Sequence, residues 1–292
     1  VSAPRERPAL AASAASDRPD RIDRIAATFA RLRAAKRSGF IPFITAGDPD
    51  LGTTLELLRA AASCGADVIE LGVPFSDPMA DGPVVQRSAE RALAAGTALP
   101  GILEIVGRFR AESDVPVILF GYANPFEQYG AERLARDARA SGVDGMLCVD
   151  MPPEEADDLQ PALDAEGLAM IFLLAPTSDP RRRRRVLARA RGFIYYVAIT
   201  GVTGGAAPDL TEVATMVRAV QAETPLPVGV GFGIRTPEHA AATALIADAV
   251  VVGSAVMSLV ETRRGAGLVA AVTEFFAAMT QAVHDARQHG GA

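Results

Sequence analysis

An α/β fold is predicted, a single-domain (β/α)8 barrel whose bottom is closed by an N-terminal helix. Three observations predict it. Eight short apolar runs recur along the chain, Ala-rich stretches with charges on one face separate them, and no glycine-rich fingerprint follows the first run. Continuous Val, Ile and Leu runs suit strands buried on both faces of a parallel sheet. Parallel neighbours need crossovers of about a dozen residues or more, usually helices. Eight such units close a barrel. An open doubly wound sheet would carry a Gly-rich turn directly after its first strand, where TAGDPD stands instead.

The elements follow in order. Residues 1–20, rich in Ala, Ser, Pro and Arg without periodicity, are expected to form a disordered extension. Within 21–37, Ile22, Ile25, Phe29 and Leu32 fall at helical spacing, which predicts an amphipathic helix against the barrel bottom. Strands are expected at 40–44, 68–71, 115–120, 145–149, 169–174, 193–197, 227–230 and 249–252, with helices between. The barrel domain is expected to span 21–283, followed by a disordered tail at 284–292.

Composition narrows the function classes. Of the 292 residues 49% are hydrophobic, enough for a large core, while 22% are charged. No run of about 18 uncharged apolar residues marks a membrane span, and the N-terminus lacks the apolar stretch of a secretory signal. A net charge of −6 gives no footprint for nucleic acid. Two cysteines, Cys64 and Cys148, without CxxC spacing fit a reduced cytoplasm, which is the expected location. Lys36 is the only lysine and precedes the first strand. A Schiff-base aldolase, which needs a lysine at a barrel strand, is thereby excluded.

Barrel chemistry sits on the loops after the strands. The second run continues as IELGVPFSDPMADGPVVQ. Glu70 lies inside the apolar run, where a carboxyl is either paired or raised in pKa. It is a structural Glu bonded to backbone or Arg, or a general acid for neutral pH. Asp77 and Asp81 follow in a loop stiffened by Pro74, Pro78, Gly82 and Pro83. Either Asp alone reads as a turn former. Three carboxylates at one barrel mouth, without metal-ligand histidines, point to acid/base work on a carbon substrate and to no metal.

After the sixth, seventh and eighth runs come AITGVTGGAAPD, GVGFGIRTPE and VVGSAV. Barrel enzymes frequently bind phosphate with such glycine loops and the start of a short extra helix. The five arginines at 181–185 open a helix after Asp179 and Pro180 and read as a solvated helix start. His239, His284 and His289 do not directly follow a strand, which argues against a His-based triad or a His-ligated metal. Phe43, Tyr122, Tyr195 and Phe232 lie at or near strand ends, placed to wall an aromatic substrate.

The IELGVPFSDPMADGPVVQ segment resembles the tryptophan synthase alpha-subunit family. The resemblance extends over roughly 38–260 and includes FITAGDPD, GYANPFEQYG, CVDMPPEE, FLLAPTS, GFIYYVAITGVTG, VGVGFGIRTPE and DAVVVGSA. It implies a lyase that cleaves indole-3-glycerol phosphate to indole and glyceraldehyde 3-phosphate. Glu70 matches the family's proton-shuttling glutamate, Asp81 the aspartate at the indole N–H, and Tyr195 the tyrosine beside them. Gly204, Gly233, Gly253 and Ser254 match phosphate-binding positions, and Phe43, Tyr122 and Phe232 the indole pocket. Thr203 matches the closing loop. Asp77, Pro152 and Pro153 match the face that docks on a beta subunit. The resemblance further implies an alpha2beta2 heterotetramer, no cofactor in this subunit, and pyridoxal phosphate in the beta subunit only. VAIT at 197–200 departs from the more polar stretch of some members.

Other readings remain at this point. A sugar-phosphate isomerase would share the glycine sites but place acids after strands one and five, where this chain has Asp48 and APTS. A non-enzymatic activator of a beta subunit would not need Glu70, Asp81 and Tyr195. A stand-alone indole-releasing lyase would lack the partner.

Overall fold

The computed structural model describes residues 23–198, 209–231, 233–263 and 265–289. Helix α1 (Arg24–Ala34) precedes β1 (Gly39–Thr45), α2 (Leu51–Ser63), β2 (Ile69–Gly72), α3 (Pro83–Ala94) and α4 (Leu99–Arg110). Then come β3 (Val117–Gly121), α5 (Ala123–Tyr129), α6 (Ala131–Ser141), β4 (Gly145–Cys148) and α7 (Leu159–Ala165). The second half runs β5 (Ala169–Leu174), α8 (Pro180–Arg189), β6 (Ile194–Val197), α9 (Leu210–Gln221) and β7 (Val228–Gly231). It ends with α10 (Pro237–Ala244), β8 (Ala249–Val252), α11 (Ser254–Thr262) and α12 (Ala266–His289). The strands pair in chain order, all parallel, and β8 closes on β1, the closed (β/α)8 TIM barrel expected.

Strand alternation splits the core in two. One set of side chains packs outward against the helices. The other, with Ile41, Val68, Ile118, Leu147, Ile171, Phe193 and Val251, fills the barrel. Ile25, Phe29 and Leu32 of α1 join this inner set, with the Phe29 and Phe193 ring centroids 5.8 Å apart. The spacing of those three residues thus places α1 as the plug of the barrel bottom. Its first turn is capped by Asp23, whose carboxylate accepts from the Ala26 N–H at 2.9 Å.

The bottom is also tied by a repeated device. Asp67, Asp144 and Asp248 stand just before β2, β4 and β8. Each carboxylate accepts the backbone N–H opening the neighbouring strand, from Phe40 at 3.0 Å, Val117 at 3.0 Å and Val228 at 2.9 Å. These acids, Asp67 and Asp144 buried and Asp248 partly so, satisfy a strand donor that has no ladder partner. His284 bonds Asp67 at 2.7 Å. This corrects the expected tail from residue 284: α12 runs on to His289, because its face still has the barrel bottom to pack against. The expected extension at 1–20 lies outside the described residues.

Both cysteines are free, Cys148 buried and Cys64 partly so. Among the described residues no single helix is long and apolar enough to cross a membrane. The arginines at 181–185 do open α8, capped by Asp179, which accepts from Arg181 and Arg182 N–H.

Candidate active site

At the C-terminal ends of the strands lies a cavity of about 620 Å³. Parity decides which side chains enter it. In β2, Ile69 and Leu71 point to the helices, so Glu70 shares the inward face with Val68 and stands above it on the barrel axis. Phe43 is its register partner on β1. Phe120, Val149, Leu173 and Val251 line the same wall.

Glu70 is fully buried, and neither carboxyl oxygen has a hydrogen-bond partner among the described residues. The structural alternative, a Glu bonded to backbone or Arg, is therefore not met among the described residues. Burial alone raises its pKa to about 8. A buried carboxyl without a partner is costly, which makes Glu70 a candidate for acid/base work.

Asp81 reaches the cavity from the loop between β2 and α3. Its pKa rises to about 6, driven by burial and opposed by a hydrogen bond from the Tyr122 hydroxyl. The same hydroxyl accepts from the Ala80 N–H at 3.1 Å, so Tyr122 pins this loop. Gln86 of α3 donates to the Asp81 carbonyl at 2.9 Å. The two carboxyls thus differ across neutrality. At pH 7 Glu70 is mainly protonated and Asp81 mainly ionised, a donor and an acceptor in one cavity.

Tyr195, inward on β6, lines the cavity as well. Its hydroxyl is pushed well above the usual phenol range by burial first and by the nearby Glu70 and Asp81 charges second. It therefore acts as a neutral donor. Gly231 on β7 makes room for it.

The opposite rim is formed by Gly233, Gly253 and Ser254. Gly233 has φ +37°. Ser254 opens α11, and the first intrahelical bond there is from Met257 N–H to the Gly253 carbonyl at 3.1 Å. The N–H groups of Ser254, Ala255 and Val256 consequently have no acceptor within the helix, and the positive end of the helix dipole adds to them. Free N–H donors at the positive end of a helix dipole suit an anion such as phosphate.

The structure thus gathers Glu70, Asp81, Tyr195, Phe43, Gly233, Gly253 and Ser254 around one cavity. Tyr122 does not line it; it stands behind Asp81, beside a small adjoining pocket with Phe75, whose ring centroid lies 5.4 Å away. Thr203, Gly204 and Phe232 lie outside the described residues, as do residues 199 and 200 of the VAIT stretch. Asp77 is exposed, Pro152 partly so, and Pro153 is buried at the start of a short 3₁₀ turn. Beside Asp77, Met79 is 92% exposed.

Two features were not anticipated. Arg182, from the arginine run expected to be solvated, lines the cavity with Thr177 and Ser178. It is the only basic side chain in that lining among the described residues. Asp48, the acid an isomerase would use after strand one, is 1% exposed and held in a bidentate pair by Arg91 at 2.9 and 2.7 Å. It is committed to the scaffold.

Comparison with known proteins agrees with this architecture. The family model described as tryptophan synthase alpha chain matches residues 29–284. The tryptophan synthase alpha chain of Geobacter sulfurreducens is 52% identical over 262 residues, covering 90% of this chain and 99% of the relative. That of Burkholderia mallei is 53% identical over 270 residues, covering 91% and 100%. The crystal structure of the alpha subunit from Legionella pneumophila superposes with a TM-score of 0.83 at 40% identity, covering 90% of this chain and 99% of that one. On a match of this extent and a site of this geometry, the chain belongs to the tryptophan synthase alpha chain family.

Proposed function

We propose that the chain cleaves indole-3-glycerol phosphate by a retro-aldol reaction to indole and D-glyceraldehyde 3-phosphate. The observation that carries this reading is Glu70, a fully buried carboxyl with no hydrogen-bond partner among the described residues, its pKa raised to about 8 by burial. Glu70 gives its proton to C3 of the indole ring, and the ionised Asp81 takes the ring N–H proton. The resulting indolenine is an electron sink. The Glu70 carboxylate then removes the proton of the glycerol hydroxyl next to the ring. The carbon–carbon bond breaks, its electrons return to the ring, and Asp81 gives its proton back to nitrogen. Glu70 ends protonated and Asp81 ionised, as they began. One carboxyl serving as acid and then base needs a pKa near working pH. The indolenine does what a lysine imine would do, so the reaction draws on no cofactor.

The cavity fits such a substrate at both ends. Phe43, Phe120 and Leu173 offer an apolar wall to the ring, while the α11 start offers N–H donors to the phosphate. We further infer that indole passes to a beta subunit that makes L-tryptophan from serine, with pyridoxal phosphate in that partner and an alpha2beta2 assembly. The relatives' name and the exposed Asp77–Met79 loop beside the catalytic Asp81 support a docking face there, with the 152–153 segment as its other part. Asp48, paired with Arg91, weighs against the isomerase alternative, which would need that acid free.

The test is indole release from indole-3-glycerol phosphate by the purified chain, alone and with a tryptophan synthase beta subunit. Slow release that rises with the partner supports both parts of the reading. Fast release indifferent to the partner favours a stand-alone lyase. No release in either case overturns the cleavage.

A further inference from the structure

Asp81 and Ser254 belong to different βα units, yet the substrate reading requires one molecule to touch both. Asp81 moves with α3, since Gln86 donates to its carbonyl at 2.9 Å and to that of Pro78 at 3.3 Å. Ser254 is the first residue of α11. The span between the two ends of the site is therefore set by the barrel strands beneath them and by how α3 and α11 are held together.

Glu261, in the last turn of α11, sits between two arginines one turn apart on α3. Its carboxylate takes a bidentate pair from Arg87, at 2.6 and 2.9 Å, and a further bond from Arg91 at 3.1 Å. Arg91 grips the buried Asp48 of the β1 loop at the same time. The chain of charges runs Arg87, Glu261, Arg91, Asp48, and joins α3, α11 and the loop after β1. The arginines hold the Glu261 carboxyl down to about 2, led by the Arg87 hydrogen bonds, so it stays ionised throughout the working range. A lone surface ion pair contributes little to stability. Fork geometry, by contrast, fixes direction as well as distance.

We propose that Glu261 is a positioning residue, clamping α11 to α3 so that phosphate held at Ser254 aligns the indole ring with Glu70 and Asp81. The inference rests on the cleavage reading above. Its physical content is that binding energy from a remote group accelerates chemistry only if the scaffold between is stiff. A misplacement of about 1 Å at the reacting centre can cost about 100-fold.

The test compares indole-3-glycerol phosphate with phosphate-free indole-3-glycerol as substrates of the full chain. For Glu261→Gln, kcat on the phosphorylated substrate is expected to fall by about tenfold, within the range that small misalignments produce. Turnover of the phosphate-free substrate is expected to match wild type, because no remote group needs registering. Arg87→Gln, which leaves the Arg91–Asp48 pair intact, should show the same pattern more weakly and guards against a folding failure of the first variant. Equal losses on both substrates, or no loss on either, overturn the clamp. A wild-type chain that cleaves neither substrate overturns the cleavage reading itself, and the clamp with it.

Discussion

A Cβ atom at Gly231 would lie 2.3 Å from the Tyr195 hydroxyl oxygen. The glycine on β7 is thus the space into which the β6 tyrosine extends, and it keeps that hydroxyl near Glu70 and Asp81. Gly231→Ala should push the ring off its rotamer. The expected outcome is a destabilisation of about 1–3 kcal/mol, typical of overpacking, and a fall in kcat for indole release larger than any change in melting temperature explains. Thermal unfolding and steady-state kinetics on the same preparation check it.

Glu70→Gln should fold normally and lose cleavage by roughly 100-fold or more, since the amide cannot shuttle a proton. It should also change how stability depends on pH. The folded carboxyl titrates at about 8 against 4.5 when unpacked. Between those values the unfolded chain releases a proton that the folded chain retains. The Glu70 contribution is therefore intact below about 4.5 and is lost as pH rises through about 8, by a few kcal/mol in order of magnitude. Urea unfolding at pH 5 and pH 9 should show the wild type losing more stability than the variant.

The rate itself should follow a bell. Asp81 must be ionised and titrates at about 6, whereas Glu70 must be protonated and titrates at about 8. kcat/KM is expected to rise through the first value and fall through the second. Asp81→Asn should remove the acid limb and lower the plateau by about 100-fold. A profile of that variant that keeps the limb at about 6 would assign the limb elsewhere.

Arg182 bears on substrate capture. The rim of Gly233, Gly253 and Ser254 offers only uncharged donors, so Arg182, the cation in the cavity lining among the described residues, is expected to draw a dianionic substrate inward. Arg182→Gln should lower kcat/KM by about three- to tenfold at low salt, the difference closing as salt shortens the Debye length to a few ångströms. A salt series on both proteins checks this, and parallel slopes would remove Arg182 from capture.

How much of this was legible in the sequence depends on the kind of contact. The eight strands and the α1 plug follow from apolar periodicity, which is local. Glu70 stood out because a carboxyl interrupts a buried run, and Ser254 because a helix start follows a strand end. Phe120 and Leu173 were within reach too, since both carry inward parity near strand ends. Arg182, by contrast, is one of five identical neighbours, and only the rotation of α8 selects it. The Asp48–Arg91 pair spans 43 positions, and His284 finds Asp67 across 217. Such polar partnerships leave no periodic trace. Tyr122 was placed at the right strand, and the fold sets it against Asp81 in the small pocket that adjoins the cavity and shares Phe43 and Phe120 with it.

The aspartates before β2, β4 and β8 staple three of the four odd–even strand pairs, and before β6 stand Arg191 and Gly192 instead. The base of the β5–β6 pair is tied by main chain instead, the Arg191 N–H donating to the Met170 carbonyl at 2.9 Å. The upper end of that pair carries Tyr195 on one side and the loop leading to Arg182 on the other. The strand of Glu70 is thus anchored at its base by a side chain, Asp67, that a substitution can remove, and the strand of Tyr195 by main-chain bonds that it cannot.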